Sequence, residues 1–302
     1  MADLLLKINT SRLSAILAVM TFIMGAVAVY YSVNLFLASP SQPEGPTSLR
    51  VSQWSGYIVA SDMQNRTPVI SSVSASWTVP EVKLSENNTF AGLWVGIGGY
   101  GEETLIQAGT EQECINGRFA YYAWYELLPD YLIRIPNLRV QPGDTITASI
   151  SLVNENASTW SIEMSDATRS EQFKKVVVYN SSRLTAEWIV ERPKVNGTVS
   201  TLADFGNATF TECKATVDGI TGTIGNFSYA QLVMHDDEDN PLVSVSPLND
   251  EGSVFTVSYL EPTSTTTLAN NFTINVVMLS RHMAKTEVSK KIPEILAHKD
   301  ES

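Results

Sequence analysis

The feature that most constrains the fold is a period-two alternation of apolar and polar residues along the chain between residues 51 and 260. Apolar residues occupy every second position in four clear runs, which are Val73–Val79, Ile146–Leu152, Trp160–Met164 and Phe255–Tyr259. Because successive side chains of a strand point to opposite faces, each run predicts a half-buried β-strand. Close-spaced Asn-Gly, Asp-Gly and Pro-Gly-Asp turns separate many such strands. Together they predict an all-β, antiparallel β-sandwich.

One predicted strand carries two carboxylates inside an apolar run. In the segment Ala186–Glu191, Glu187 and Glu191 share one face of the strand, whereas Trp188 and Val190 share the other. Burying a carboxylate is costly unless the group is paired or used in chemistry. The alternative is a pair of rim glutamates on a half-solvated sheet. The segment is therefore a candidate functional site whose role depends on the rest of the chain.

Four other segments support a functional role, and they occur in a fixed order with the carboxylate segment. They are Leu93–Gly99, Leu105–Glu111, Ala123–Tyr131 and Ala203–Thr211. In this order, the five segments resemble the glutamic peptidases of the eqolisin type, peptidase family G1. The resemblance covers roughly residues 52 to 260. It implies a lectin-like jelly roll of two packed sheets and an endopeptidase that hydrolyses peptide bonds in acid.

The resemblance also assigns roles to individual residues. The catalytic Gln and Glu of the family correspond to Gln107 and Glu187. Its substrate-binding residues correspond to Trp94, Glu111, Trp124 and Glu126. In peptide hydrolysis, an ionised Glu187 would take a proton from the attacking water, and the Gln107 amide would donate a hydrogen bond to the oxyanion. This chemistry needs no cofactor and no metal.

The chain departs from the fungal members of that family at three positions. Gly98 stands where those members carry Asp, and Leu127 and Leu128 stand where they carry aromatic residues. We therefore transfer the catalytic pair from the resemblance, but not the fungal substrate preferences.

Other hydrolase chemistries lack their motifs in this sequence. The only histidines are His235, His282 and His298, and there is no Gly-x-Ser-x-Gly, no His-Glu-x-x-His and no paired Asp-Thr-Gly or Asp-Ser-Gly string. We therefore expect a pepstatin-insensitive enzyme. The acidic run from His235 to Pro241 lacks EF-hand spacing and ends in the turn signal Asn-Pro, which favours a solvated turn over a calcium site.

The overall charge is informative about partners. A net charge of −12 and a pI near 4.7 argue against nucleic acid, whose binding depends on Lys and Arg. The acidity suits an acid habitat, where carboxylates take up protons, but it is explained equally well by solubility. The expected partner in solution is a polypeptide substrate.

The N-terminal region predicts attachment to a membrane. Residues 13–37 form an apolar run long enough to span a bilayer, and Lys7 and Arg12 before it place residues 1–12 in the cytoplasm. A signal segment cleaved near Ala38, which would give a secreted protein, is the alternative. Residues 38–50 form a Pro- and Gly-containing linker, residues 51–260 form the sandwich domain, and the tail 261–302 has no assigned role.

Two further features predict export. Eight Asn-x-Ser/Thr sequons follow the apolar run, at Asn65, Asn87, Asn156, Asn180, Asn196, Asn207, Asn226 and Asn271. The two cysteines, Cys114 and Cys213, both come just after family-like strings, and we expect one disulfide between them in an oxidising compartment.

Two functions from other classes compete with the peptidase. The first is a carbohydrate- or protein-binding sandwich in which Trp94, Trp124 and Trp188 form a ligand platform. The second is a catalytically silent surface-layer or adhesion module. The presence of both Gln107 and Glu187 in family-like strings favours the peptidase, because a binding module does not need that pair.

Overall fold

The computed structural model describes residues 48–261, 265–268 and 272–275, and most of them form two packed β-sheets. The first sheet contains, in spatial order, β1 (Ser48–Val51), β17 (Ser228–Met234), β2 (Trp54–Ala60), β11 (Ala186–Glu191), β4 (Thr89–Gly98), β5 (Leu105–Ile115), β6 (Arg118–Leu127) and β7 (Ile133–Arg134), with β14 (Thr201–Leu202) beside β4. The second contains β10 (Glu171–Val178), β9 (Thr159–Asp166), β8 (Thr145–Asn154), β3 (Ile70–Thr78), β15 (Asn207–Val217), β19 (Phe255–Tyr259) and β18 (Val243–Val245), with β16 (Ile220–Thr223) beside β15.

The remaining described elements are small. They are the hairpins β12 (Lys194–Val195) with β13 (Thr198–Val199) and β20 (Thr265–Leu268) with β21 (Phe272–Asn275), and the 3₁₀ helix Ile224–Asn226. All pairings within the two main sheets are antiparallel except β1 with β17 and β14 with β4. The predicted all-β sandwich of two sheets is confirmed.

The main core lies between the two sheets, and the alternating strands build it. In β8, Ile146, Ala148 and Ile150 are all fully buried and face the core. Tryptophans cross the gap with their ring N–H groups satisfied: Trp188 Nε1 of the first sheet donates to the Ser74 carbonyl of the second at 2.9 Å. Large rings whose polar edge is hydrogen-bonded bury much apolar area without leaving an unpaired donor.

The outer face of the first sheet is also covered, which explains why β4 and β5 do not alternate. Every residue of β4 is buried, and so are all residues of β5 except the last. A second, smaller apolar cluster covers the outer face, formed by Ile58, Trp94, Leu105, Trp124, Ile189, Ala230 and Leu232. Strands that are buried on both faces read as continuous apolar runs.

The first strand begins earlier than the predicted domain boundary. β1 starts at Ser48, inside the segment 38–50 that we predicted as linker, because Ser48–Val51 pairs in parallel with Gln231–Met234 of β17. The predicted membrane anchor at 13–37 lies outside the described residues. Within the residues that the structure describes, no helix is both long and apolar enough to cross a membrane.

The predicted disulfide is wrong, because both cysteines are free thiols. Cys114 is the penultimate residue of β5 in the first sheet, and its thiol donates to the Ser85 carbonyl at 3.7 Å. Cys213 lies on β15 in the second sheet and packs into the main core. Both cysteines follow family-like strings, but their side chains lie in different sheets and have different neighbours. Position in the sequence alone does not reveal this separation.

The sequons and the acidic run both lie on the surface. Within the described residues, the sequon asparagines are all exposed, and Asn271 lies outside that part of the chain. The acidic run forms the predicted turn, closed by a bridge between His235 and Pro241. Asp236 Oδ1 accepts the backbone N–H groups of Glu238 and Asn240.

Candidate active site

Three rows of directly opposed residues cross β11, β4, β5 and β6 on the outer face of the first sheet. The first row is Glu187, Gly96, Gln107 and Glu126; the second is Ile189, Trp94, Gly109 and Trp124; the third is Glu191, Gly92, Glu111 and Tyr122. Directly opposed residues of neighbouring strands point to the same side of a sheet. The structure therefore brings every catalytic and substrate-binding residue predicted from the sequence to one face.

A cavity of about 740 Å³ opens on this face. Four of the predicted site residues line it, namely Gln107, Glu111, Trp124 and Glu126. Three charged residues that we did not assign to the site also line it, namely Glu102, Glu191 and Lys194. Glu187 does not line the cavity, so its position in the first row does not place it in the site.

The Trp94 indole and Leu105 lie over the residue that stands between Glu187 and Gln107. Gly96 stands between Glu187 and Gln107 in the first row, and a Cβ at Gly96 would lie 2.8 Å from Trp94 Cζ3 and 2.9 Å from Leu105 Cδ1. The Trp94 ring and Leu105 therefore fill the space above this glycine. In the second row, a Cβ at Gly109 would lie 2.2 Å from the Leu93 carbonyl oxygen, so only glycine fits there.

Glu187 is fully buried and does not line the cavity, and its predicted role as the base remains a prediction. Neither of its carboxylate oxygens has a hydrogen-bond partner of normal geometry among the described residues. Burial raises the pKa of Glu187 well above its ordinary value; the nearby Thr185 hydroxyl lowers it, the charge of Glu102 raises it further, and Arg66 lowers it. A carboxyl that does not line the cavity is poorly placed to activate a water molecule held there.

Glu191 reaches the cavity from the third row. Its Oε2 accepts a hydrogen bond of 2.8 Å from Trp94 Nε1. Burial raises the pKa of Glu191 to about 7, and the indoles of Trp54 and Trp94 oppose the rise by donating to the charged form. Trp54 packs edge-on against Trp94 with ring centroids 5.0 Å apart, which holds both donors in position.

Gln107 and Glu126 form a hydrogen-bonded pair on the adjacent strands β5 and β6. Gln107 Nε2 donates to Glu126 Oε2 at 2.6 Å, so one hydrogen of the amide is engaged and the other is available. Burial raises the pKa of Glu126, and the bond from Gln107 opposes the rise. The pair fixes the orientation of the Gln107 side chain at the cavity wall.

Several buried polar atoms around the cavity have no partner. Within the described residues these include Gln107 Oε1, Glu111 Oε1 and Trp124 Nε1. Buried polar groups are normally satisfied, so unpaired donors and acceptors that line a cavity indicate where a polar ligand or water binds. Burial raises the pKa of Glu111 well above its ordinary value, and the charges of Glu113 and Glu191 add to the rise.

The positions that depart from the fungal pattern also have structural explanations. Gly98 has φ +88°, and a Cβ there would lie 2.5 Å from the Thr104 carbonyl oxygen, so this backbone excludes an Asp. Leu128 lines the cavity, whereas Leu127 packs against the main core. The cavity wall at Leu128 is therefore apolar.

Sequence reasoning missed Glu191, Glu102 and Lys194 as site residues. The signal for Glu191 was present, because its spacing of four from Glu187 placed it on the same face of β11. Glu102 follows the glycines after β4, and Lys194 follows β11; both lie in segments without strand periodicity. Their positions depend on loop paths that a pattern of apolar residues does not encode.

Comparisons with known proteins agree with this architecture. The model of the Peptidase A4 family matches residues 52–259. Aspergillopepsin-2 from Aspergillus niger is 26% identical over 231 residues, covering 69% of this chain and 78% of that protein. Scytalidopepsin B from Scytalidium lignicola is 26% identical over 201 residues, covering 62% of this chain and 72% of that protein.

Solved structures share the fold. Scytalido-glutamic peptidase bound to a peptide-based transition-state analogue superposes with a TM-score of 0.58 at 22% identity, covering 69% of this chain and 98% of that one. Aspergilloglutamic peptidase from Aspergillus niger gives a TM-score of 0.51 at 28% identity, covering 57% of this chain and 99% of that one. By the family match and these relatives, the chain belongs to the Peptidase A4 family, which is peptidase family G1 or the eqolisins, and it is a glutamic peptidase.

Proposed function

We propose that this cavity hydrolyses internal peptide bonds in acid, with Glu191 as the general base and Gln107 as the oxyanion donor. The observation that carries the assignment is that Glu191 and Gln107 line the same cavity, whereas Glu187 is fully buried and does not line it. Membership of the family supports acid endopeptidase activity. The pairing of these two residues is our proposal for this chain.

The reaction needs one base and one donor. The Glu191 carboxylate takes a proton from water as the water oxygen bonds to the scissile carbonyl carbon. Negative charge then develops on the carbonyl oxygen, and the free N–H of the Gln107 amide stabilises it without titrating. When the C–N bond breaks, the proton held by Glu191 passes to the leaving nitrogen, and Glu191 returns to its ionised form.

The surrounding residues support this pair. Trp94 orients the Glu191 carboxylate through the 2.8 Å bond and favours its ionised form. Glu126 orients the Gln107 amide. Glu111 and Trp124 line the cavity, and we assign them to the binding of the peptide backbone.

Activity in acid requires that some of the Glu191 carboxyl is ionised at a pH below its pKa. A base whose pKa is about 7 loses a factor of about ten in its ionised fraction for each pH unit below that value. The charge of Glu126 contributes to the raised pKa of Glu191. Loss of that charge therefore lowers the pKa of Glu191 and increases its ionised fraction in acid.

The proposal is tested by digesting an unfolded protein substrate between about pH 2 and 7 with the purified chain. We expect cleavage at internal peptide bonds, strongest on the acid side, that pepstatin, a serine-directed reagent and a chelator leave unchanged. Complete inhibition by a serine reagent or a chelator, or a maximum above pH 7, would contradict the proposed mechanism.

We also propose that the catalytic domain is exported, glycosylated and tethered by residues 13–37. The exposure of the described sequon asparagines supports this, because acceptor sites must be accessible. Protease treatment of intact cells should release the domain, and removal of Asn-linked glycans should lower its mass. A domain that intact cells protect from protease would contradict the tether.

A further inference from the structure

The charged residues of the cavity are almost all acidic. Its wall carries the carboxyl groups of Glu102, Glu111, Glu126 and Glu191. Among the described residues that line it, Lys194 alone is cationic. A single ammonium group among four carboxyl groups is an unusual arrangement for a site that only has to bind a neutral peptide backbone.

The local structure fixes Lys194 beside the proposed base. Lys194 begins β12, three residues after Glu191, and opposes Val199 across the hairpin. The turn of this hairpin is Asn196-Gly197, with φ values of +52° and +80°, and two left-handed residues are typical of a tight type I′ turn. The hairpin therefore holds the backbone of Lys194 at the rim of the cavity.

The Lys194 ammonium is available to a ligand. Within the described part of the chain, no carboxylate lies within ion-pair distance of it, and the residue is exposed. Its charge nevertheless influences Glu191, whose pKa it lowers. The ammonium therefore acts on the site by its charge, without an ion-pair partner among the residues that the structure describes.

We propose that Lys194 is a specificity-determining residue that binds an anionic side chain of the polypeptide substrate close to the scissile bond. This inference rests on the proposed function and names a substrate preference for the same site. The partner is identified by charge: an ammonium group at the rim of a cleft attracts carboxylate or sulfonate groups.

The preference should depend on pH in a defined way. The raised pKa values of Glu111, Glu126 and Glu191 mean that these groups become neutral above the pH at which an ordinary side-chain carboxyl, with a pKa of about 4.3, does. Just above that pH, the substrate side chain is charged while Glu191, whose pKa is about 7, is still largely protonated. Repulsion of an anionic substrate by Glu191 is therefore weakest on the acid side of that pKa, and the attraction by Lys194 is least opposed by Glu191 there.

The test uses matched peptides that differ at one residue near the scissile bond, either cysteic acid or asparagine. Cysteic acid keeps its sulfonate charge throughout the acid range, so only the enzyme titrates. The measured quantity is the ratio of kcat/KM for the two peptides, in which any effect of Lys194 on Glu191 cancels. For the parent we expect a two- to fivefold preference for the sulfonate at one position, the range of an exposed ion pair.

Three variants of Lys194 and one control give the decisive comparison. Lys194→Ala should bring the ratio to about one, Lys194→Glu should invert it, and Lys194→Arg should retain it. The control is Lys174→Ala, which changes a lysine of the second sheet paired with Glu163 and should keep the parental ratio. A ratio that is the same in the parent and all three Lys194 variants would overturn the inference while leaving the peptidase function intact.

A binding measurement separates the inference from the proposed function. Labelled peptides of the same two kinds are titrated against Glu191→Gln alone and Glu191→Gln with Lys194→Ala, and fluorescence anisotropy reports the affinity. We expect the sulfonate peptide to bind two- to fivefold more tightly only where Lys194 is present. Equal affinities in both proteins would overturn the inference even if no peptide is cleaved, whereas absence of cleavage by the parent would contradict the proposed function alone.

Discussion

Replacing Glu187 by Gln should reduce the stability that the protein loses as the pH rises toward neutral. Glu187 is fully buried, and burial raises its pKa well above the ordinary value of 4.5. A carboxyl whose pKa is raised by folding binds its proton more tightly in the folded state. Its contribution to stability is therefore complete below pH 4.5 and is lost as the pH rises through the folded-state pKa.

The size of the effect follows from the number of such groups. Each carboxyl that is protonated when folded and ionised when unfolded lowers the free energy of unfolding by about 1.4 kcal/mol per pH unit. Burial raises the pKa of Glu187 well above its ordinary value, so this one group should contribute a loss of about 1.4 kcal/mol per pH unit while it is protonated in the folded state alone. Glu187→Gln removes this contribution, so between pH 5 and 7 the variant should lose less stability than the parent, by about 1.4 kcal/mol per pH unit.

The assay is urea denaturation at pH 5, 6 and 7, with the free energy of unfolding obtained by linear extrapolation. Gln has nearly the shape of a protonated Glu, so below pH 4 the variant and parent should differ by no more than about 1 kcal/mol. Glu163→Gln is the matched control. Its exposed carboxyl bonds to Lys174, which lowers its pKa, so its contribution changes only in stronger acid and the slope from pH 5 to 7 should stay parental.

One outcome of this assay would contradict the prediction. If Glu187→Gln loses stability between pH 5 and 7 with the parental slope, then folding does not raise the pKa of Glu187 through this range, and the reasoning from its burial fails.

Three other predictions follow from the site and the core. Glu126→Gln should move the acid limb of the kcat/KM profile to lower pH, since the charge of Glu126 raises the pKa of Glu191; a shift to higher pH would contradict this. Gln107→Ala should lower kcat by about 10²–10³ while the circular dichroism spectrum stays parental, because it removes the oxyanion donor. Cys114 and Cys213 should both react with a thiol reagent after unfolding without reductant, and mass spectrometry that finds them bridged would contradict the free thiols.

The fold was largely predictable because its cause is local. In β8, the alternation of Ile146, Ala148 and Ile150 with polar residues reflects one buried and one partly exposed face, and the period of two follows directly. The same reasoning placed Glu187 and Glu191 on one face of β11. Alternation therefore identifies the face to which a side chain points, whatever its depth.

The depth of each carboxylate was not predictable from the pattern. Whether Glu187 or Glu191 reaches the cavity depends on where the Trp94 ring lies. Gly96 and Gly109 make room for that ring, and they lie on β4 and β5, which are distant in sequence from β11. A strand period contains no information about a neighbouring ring that covers one of two equivalent positions. The sequence did not assign Glu191 to the cavity because its position there depends on tertiary packing.

The free cysteines illustrate the same limit. Cys114 and Cys213 follow comparable strings, but they belong to different sheets and contact different neighbours. Pairing depends on the distance across the sandwich, which the spacing of nearly 100 residues along the chain does not determine.

The most direct test of the central claim compares Glu191→Gln with Glu187→Gln in single-turnover peptide cleavage at the acid optimum of the parent. The two glutamates are four residues apart on one strand, about 13 Å at ~3.3 Å per residue, so they cannot both activate water at the same carbonyl. We predict that Glu191→Gln lowers the rate by about 10²–10⁴, the usual effect of losing a general base, and that Glu187→Gln keeps it within a few fold. Loss of turnover in Glu187→Gln, with parental turnover in a correctly folded Glu191→Gln, would contradict the account.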